Sequence, residues 1–204
     1  SDWPASGSMV VAGAPGRLDL MGGFAEFSGS LVLAYPIADD VTVAVAARND
    51  REIRLSLLQP EGDGSPQLLT WSLDDFLTPE QQVAAANDVA AAFPDCDGAL
   101  ARPVVTAVYA LLNGYGADCS RGLSIAIGSS LGGCHGIAAR SAVSMASMMA
   151  IGNLWGLDVD SGKLAEHCST AENQLWRRGQ DVSDATTISH CQAGKILQFR
   201  SQNR

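Results

Sequence analysis

Residues 128–150, GSSLGGCHGIAARSAVSMASMMA, place four glycines within nine residues ahead of a long run of small and apolar residues. The preceding GLSIAIGSS (122–130) alternates and is β-branched, so a strand is expected to run into this turn, with a helix from about Ile137 to Leu154 beyond it. A strand, glycine turn and helix in that order present free N–H groups and the positive end of a helix dipole to whatever lies in the loop. Gly132, Gly133 and Gly136 let backbone approach a ligand without intervening side chains. Two readings stand here: a turn ahead of a core helix, or a cradle for an anion. Arg140 favours the second, because a cation in the first helical turn opposes the dipole by roughly 0.3–1 kcal/mol unless an anion lies nearby. The loop is not a Walker A motif, having no G-x-x-x-x-G-K-[ST], and it fits G-x-G-x-x-G poorly.

Working outward, MVVA (9–12) reads as a strand entering APGRLDLMGGFAEFSGSLVL (14–33), where Arg17 has the planar fork suited to a phosphoryl group or a carboxylate. Val41, Val43 and Val45, then Ile53, Leu55 and Leu57 after an Asn49-Asp50 turn, keep period two and predict a β-hairpin or meander. QLLTWSL (67–73) is a further strand candidate. Thr78-Pro79-Glu80-Gln81 has the signals of a helix start, with an alanine-rich helix to about Phe93. Pro103 opens another, burying Val104, Val105, Val108, Leu111 and Leu112, with Gly114 as its stop and Asp160 capping a later helix. KILQF (195–199) is a last strand. The chain is 204 residues of α+β character without repeat or linker, read as one domain over 1–204.

The totals exclude several classes. With 47% hydrophobic residues the chain is not disordered, and 13 basic against 22 acidic residues give a net charge of −9, which repels nucleic acid. No signal peptide or membrane span is expected, so a soluble, cytoplasmic protein without a membrane partner is the reading. Five widely spaced cysteines make no disulfide framework, and their adjacency to histidines lacks the spacing of a zinc site.

The two glycine-rich stretches together resemble the GHMP family of small-molecule kinases: APGRLDLMGGFAEFSGSLVL is similar to the N-terminal signature of galactokinases, and its L-arabinokinase branch in particular. The likeness continues from Ser129 to Lys195. It implies the α+β fold of a GHMP kinase N-terminal domain (ribosomal protein S5 domain 2-like), a mixed sheet packed with helices, with the family's C-terminal half missing after Arg204. By the resemblance, Arg17 lies beside the transferring phosphoryl group and Asp184, in QDVSDA, is the catalytic aspartate. Glu26 falls on a sugar-contacting acid; Asp19, Gly23 and Asp181 complete the sugar side. Gly132, Gly133, Gly136, Ala139 and Arg140 are the nucleotide loop, and Glu172, in AENQLW, is the Mg²⁺ ligand, twelve residues before Asp184.

The departures are equally specific. The family's serine triplet is Ala138, Ala139 and Arg140, and the glycine and glutamine of C-G-x-M-D-Q are Asp181 and Ala185. Arg140 either supplies part of the metal's charge or repels the metal. Two functions follow from the resemblance: an ATP- and Mg²⁺-dependent kinase for the anomeric hydroxyl of L-arabinose or galactose, or a catalytically inactive relative that binds sugar or nucleotide as a sensor or partner module. An apolar face is expected where the missing half would pack, through which the chain would meet that half or a second copy.

Overall fold

The structure is a computed structural model, and it describes residues 3, 7–22, 29–58, 67–93, 100–117, 120–131, 136–177 and 182–200. Strand β1 (Met9–Met21) pairs antiparallel with the long β2 (Leu31–Ala47), and β2 pairs antiparallel with β5 (Leu123–Ser129). Beyond β5 come β3 (Glu52–Leu58), parallel to it, and β4 (Gln67–Ser72). The short β6 (Leu197–Arg200) joins the early part of β2. The sheet is therefore mixed, in the order β1-β2-β5-β3-β4.

The alternation read from the sequence is correct, but the hairpin is not: β2 and β3 do not pair with each other, because β5 enters between them. Leu123, Ile125 and Ile127 on β5 are buried and continue the apolar layer of Val41, Val43 and Val45 on one side and Ile53, Leu55 and Leu57 on the other. The 48–51 turn is opened to receive it. Arg48 N–H donates to the Gly122 carbonyl (2.9 Å) and Gly122 N–H to that of Asp50 (2.7 Å). A Cβ on Gly122 would stand 2.1 Å from the Glu52 carbonyl oxygen, so only glycine admits the strand at this point.

The helices lie against the apolar side of this sheet. Helix α2 (Ala101–Tyr115) and α3 (Ala139–Leu154) supply the buried Val104, Val108, Leu111, Met145, Met148 and Ile151. Helix α4 (Ser161–Trp176) carries Asp160 at its N-cap as expected, accepting from Gly162 N–H at 2.7 Å, and α5 (Val182–His190) packs beside it. Trp176 Nε1–H donates to the Thr106 hydroxyl at 3.0 Å and fixes α4 on α2.

Two helix ends differ from the expectation. Thr78-Pro79 opens a tight turn: the Thr78 hydroxyl accepts from Gln82 N–H (3.4 Å), Gln81 takes φ 61°, and Leu77 bridges Val83. The capping signal there is spent on the turn, and helix α1 covers only Ala86–Ala92. A capping box does exist six residues earlier, at Ser72 and Asp75, on the 3-10 turn Leu73–Phe76. Helix α2 runs past Gly114 to Gly116, which takes the left-handed conformation (φ 59°). Gly114 is instead a contact glycine, where a Cβ would lie 2.5 Å from His167 Nδ1. No helix among the described residues is long and apolar enough to cross a membrane.

Candidate functional site

At Arg17 the register of β1 on β2 shifts, between Pro15 and Arg17, which turns this side chain to the helix side of the sheet. Its neighbour Gly16 explains how closely Leu131 and Ile137 approach this strand. A Cβ there would meet Leu131 Cδ2 at 2.6 Å, Ile37 Cδ1 at 2.9 Å and the Ile137 carbonyl oxygen at 3.0 Å. Arg17 N–H donates to that same Ile137 oxygen at 3.0 Å. Strand β1 and the entry to α3 are thereby held backbone to backbone.

The Arg17 guanidinium is 8% exposed and meets Asp184 in the first turn of α5, 167 residues away in the chain. Nε–H donates to Asp184 Oδ1 at 2.5 Å and Nη2 makes an ion pair with the same oxygen. The Ser141 hydroxyl donates to Asp184 Oδ2 at 3.3 Å, Nη2 lies 3.5 Å from the Ser183 hydroxyl, and Nη1 lies 3.6 Å from Asp19. So β1, α3 and α5 converge on one carboxylate, which keeps 22% exposure. A guanidinium this deeply buried requires such partners.

A second pair lies across the mouth of α3. Glu172 on α4 is 3% exposed, and Arg140 in the first turn of α3 stands with Nη2 3.9 Å from Glu172 Oε1. The residue opening α3, Ala138, is left-handed (φ 59°, ψ 28°) and offers the helix no side-chain cap. The first-turn N–H groups of α3 thus face the loop without the hydroxyl that an ordinary N-cap supplies. Gly136 also has positive φ (90°), as a glycine in this turn allows. One helical turn below Glu172, burial pushes the Cys168 thiol up to about 12.

Of the residues singled out in the sequence, Arg17, Asp19 and Asp184 are in mutual contact through Arg17. Arg140 and Glu172 form their own pair, with Ala139 and Gly136 at the same helix entry. Gly23, Glu26, Gly132, Gly133 and Asp181 lie outside the described residues. Ser141 and Ser183 were not anticipated. Ser141 lies one residue beyond the altered triplet, and its hydroxyl is directed to Asp184.

The fit of a divalent cation to this donor set can be tested directly. Among the described residues no group of three or more Asp, Glu, His or Cys is placed to hold a metal. A Mg²⁺ ion sits about 2.1 Å from its ligand oxygen. On Glu172 Oε1 it would then lie within about 6 Å of the Arg140 guanidinium nitrogen, where the repulsion at an effective dielectric of about 20 is roughly 5 kcal/mol or more. With Arg140 where it stands, the described residues do not fit a divalent ion at Glu172.

The mixed sheet packed with helices is the α+β fold of the solved small-molecule kinases on which the chain superposes. Its sequence is similar to L-arabinokinase of Arabidopsis thaliana, with 30% identity over 210 residues, covering 93% of this chain and 20% of that protein. Lactococcus lactis galactokinase, solved with galactose, superposes with a TM-score of 0.75 at 17% identity, over 95% of this chain and 45% of that one. The mevalonate kinase of Methanococcus jannaschii gives a TM-score of 0.72 at 16% identity, over 98% of this chain and 55% of that one. The chain thus spans about a fifth of the curated relative it matches and about half of these solved enzymes. No protein-family model matches it.

Proposed function

We propose that this chain is the nucleotide-loop and catalytic-aspartate half of a sugar kinase that transfers the γ-phosphoryl group of ATP to the anomeric hydroxyl of a monosaccharide of L-arabinose or galactose type. The observation that carries this reading is the contact of Arg17 with Asp184 beside the glycine loop. Phosphoryl transfer proceeds through a loose transition state with charge spread over the phosphoryl oxygens, so placement and positive charge do most of the work. Arg17, fixed by the β1 shift and by Asp184, would offer its guanidinium to the transferring phosphoryl group. Asp184, itself held by Arg17 and Ser141, would accept a hydrogen bond from a sugar hydroxyl and align its oxygen for attack. Gly136 and the uncapped first turn of α3 would cradle the phosphates through backbone N–H groups. Gly132 and Gly133 would extend that cradle, and Gly23, Glu26, Asp19 and Asp181 would face the sugar. The remaining half of such an enzyme, supplied by further chain or a separate partner, would close over the nucleotide.

A second reading, a non-catalytic relative that binds sugar or nucleotide, is favoured by the Arg140–Glu172 pair, since Glu172 is then engaged where the kinase reading needs a metal ligand. The two separate in one assay. ADP release is followed with ATP and either L-arabinose or galactose, for the wild type and for Asp184→Asn, with binding of each ligand measured by calorimetry. Sugar-dependent turnover abolished by Asp184→Asn supports the kinase. Ligand binding with no turnover supports the second reading, and sugar binding without any affinity for ATP would sink the first.

A further inference from the structure

We infer that Arg140 takes the place of a divalent cation at the entry to α3, so that the chain binds nucleotide as the metal-free polyphosphate; the inference rests on the nucleotide reading above. Three observations meet here. Glu172 is a carboxylate 3% exposed, and a buried charge of that kind needs a counter-charge, which Arg140 provides at 3.9 Å. Neither residue opening α3, Ala138 nor Ala139, has a side-chain oxygen to give to a metal, and Ala138 caps nothing. Among the described residues no cluster of metal-ligating side chains stands near enough to complete a site.

The charge arithmetic favours the same exchange. A metal at this place would bridge an acidic side chain and an anionic phosphate. A guanidinium does so too, with one face toward Glu172 and further N–H donors for phosphate oxygens. Arg140 is 35% exposed, against 3% for Glu172, so the cation is on the solvent side, where a polyphosphate would arrive. Its position in the first turn of α3, unfavourable to an empty helix end, becomes favourable once an anion lies over the N–H groups.

The test is the affinity for ATP in EDTA and in excess Mg²⁺, by calorimetry on the full chain, for the wild type, Arg140→Ser, Arg140→Lys and Glu172→Gln, each first checked for an intact melting transition. The wild type is expected to bind ATP within about threefold equally in both conditions. Arg140→Ser should weaken binding in EDTA by about tenfold or more, the scale of one charge-assisted hydrogen bond, with Arg140→Lys intermediate. Glu172→Gln gives the decisive sign. With Arg140 in the metal's place, removing the carboxylate tightens ATP binding several-fold in EDTA, by releasing the guanidinium and removing a like charge. The same tightening is expected in Mg²⁺, whereas if Glu172 holds a metal the change weakens binding in Mg²⁺, and that result overturns the inference. Wild-type binding about tenfold tighter in Mg²⁺ than in EDTA overturns the inference while leaving the nucleotide reading standing. Absence of ATP binding in both conditions overturns the nucleotide reading, and the inference with it.

Discussion

Truncating Asp184 to alanine tests whether the junction of β1, α3 and α5 is held by charge. Arg17 would be left 8% exposed with its principal partner gone. Removing one member of a fully buried pair costs about 3–5 kcal/mol, because the other charge stays buried and uncompensated. Two features reduce that figure here: Asp184 is 22% exposed, and Asp19 stands 3.6 Å from the guanidinium and can take up part of its charge. The expected loss is therefore about 2 kcal/mol, which for a chain of this size lowers Tm by roughly 4–8 °C. Urea unfolding of the wild type, Asp184→Ala, Arg17→Ala and the double variant measures it. The double-mutant cycle should give a coupling energy of about 1–2 kcal/mol, as for residues in one ion-pair network. Loss below about 0.5 kcal/mol, or strict additivity of the two single changes, would refute the idea that this contact holds α5 against β1.

Other expectations follow from individual contacts. Gly122→Ala brings a Cβ to 2.1 Å from the Glu52 carbonyl, and backbone must move; a loss of about 3 kcal/mol or insoluble expression is expected, read from soluble yield and Tm. A variant as stable as the wild type would show that β5 does not need the close approach. Cys168, buried and pushed up to about 12, should resist iodoacetamide at pH 8 in the native state and react after denaturation, as peptide mapping would report. Asp50 is held at about 2, below its ordinary 3.8, chiefly by the hydrogen bond from Arg48. Its folded value is depressed, so its contribution is complete above about pH 4 and is lost as pH falls toward 2; Asp50→Asn should flatten the stability profile over that window only, by less than about 1 kcal/mol for an exposed pair.

The sequence made the strands and the site's register legible to different degrees. Period-two runs at Val41–Val45 and Ile53–Leu57 gave the strands themselves, since one face of each is buried. They could not give the pairing, because β5 comes from about 70 residues further on and only a glycine, Gly122, marks where it enters. The Thr78-Pro79 signal failed for a local reason, the hydroxyl closing a turn instead of capping a helix. At the site, the resemblance assigned Arg17 and Asp184 to one centre, and the two side chains meet across 167 residues. It did not show Ser141, whose hydroxyl reaches Asp184 only because α3 and α5 lie side by side. Nor did it show that Arg140 would lie on Glu172, a contact that requires the angle between α3 and α4.

The insertion of β5 has a consequence for how the chain reaches this state. Strands β2 and β3 are adjacent in sequence yet have no hydrogen-bonded neighbour between them until residues 123–129 arrive. During synthesis, then, the first 120 residues expose two apolar edges whose simplest available solution is to pair with each other in the hairpin their own pattern suggests. That arrangement would have to be undone before β5 could enter, and closing so long a loop is slow. Folding of this domain is thus expected to wait on β5, so that the central sheet and the packing of the following helix α3 upon it are completed in the same event.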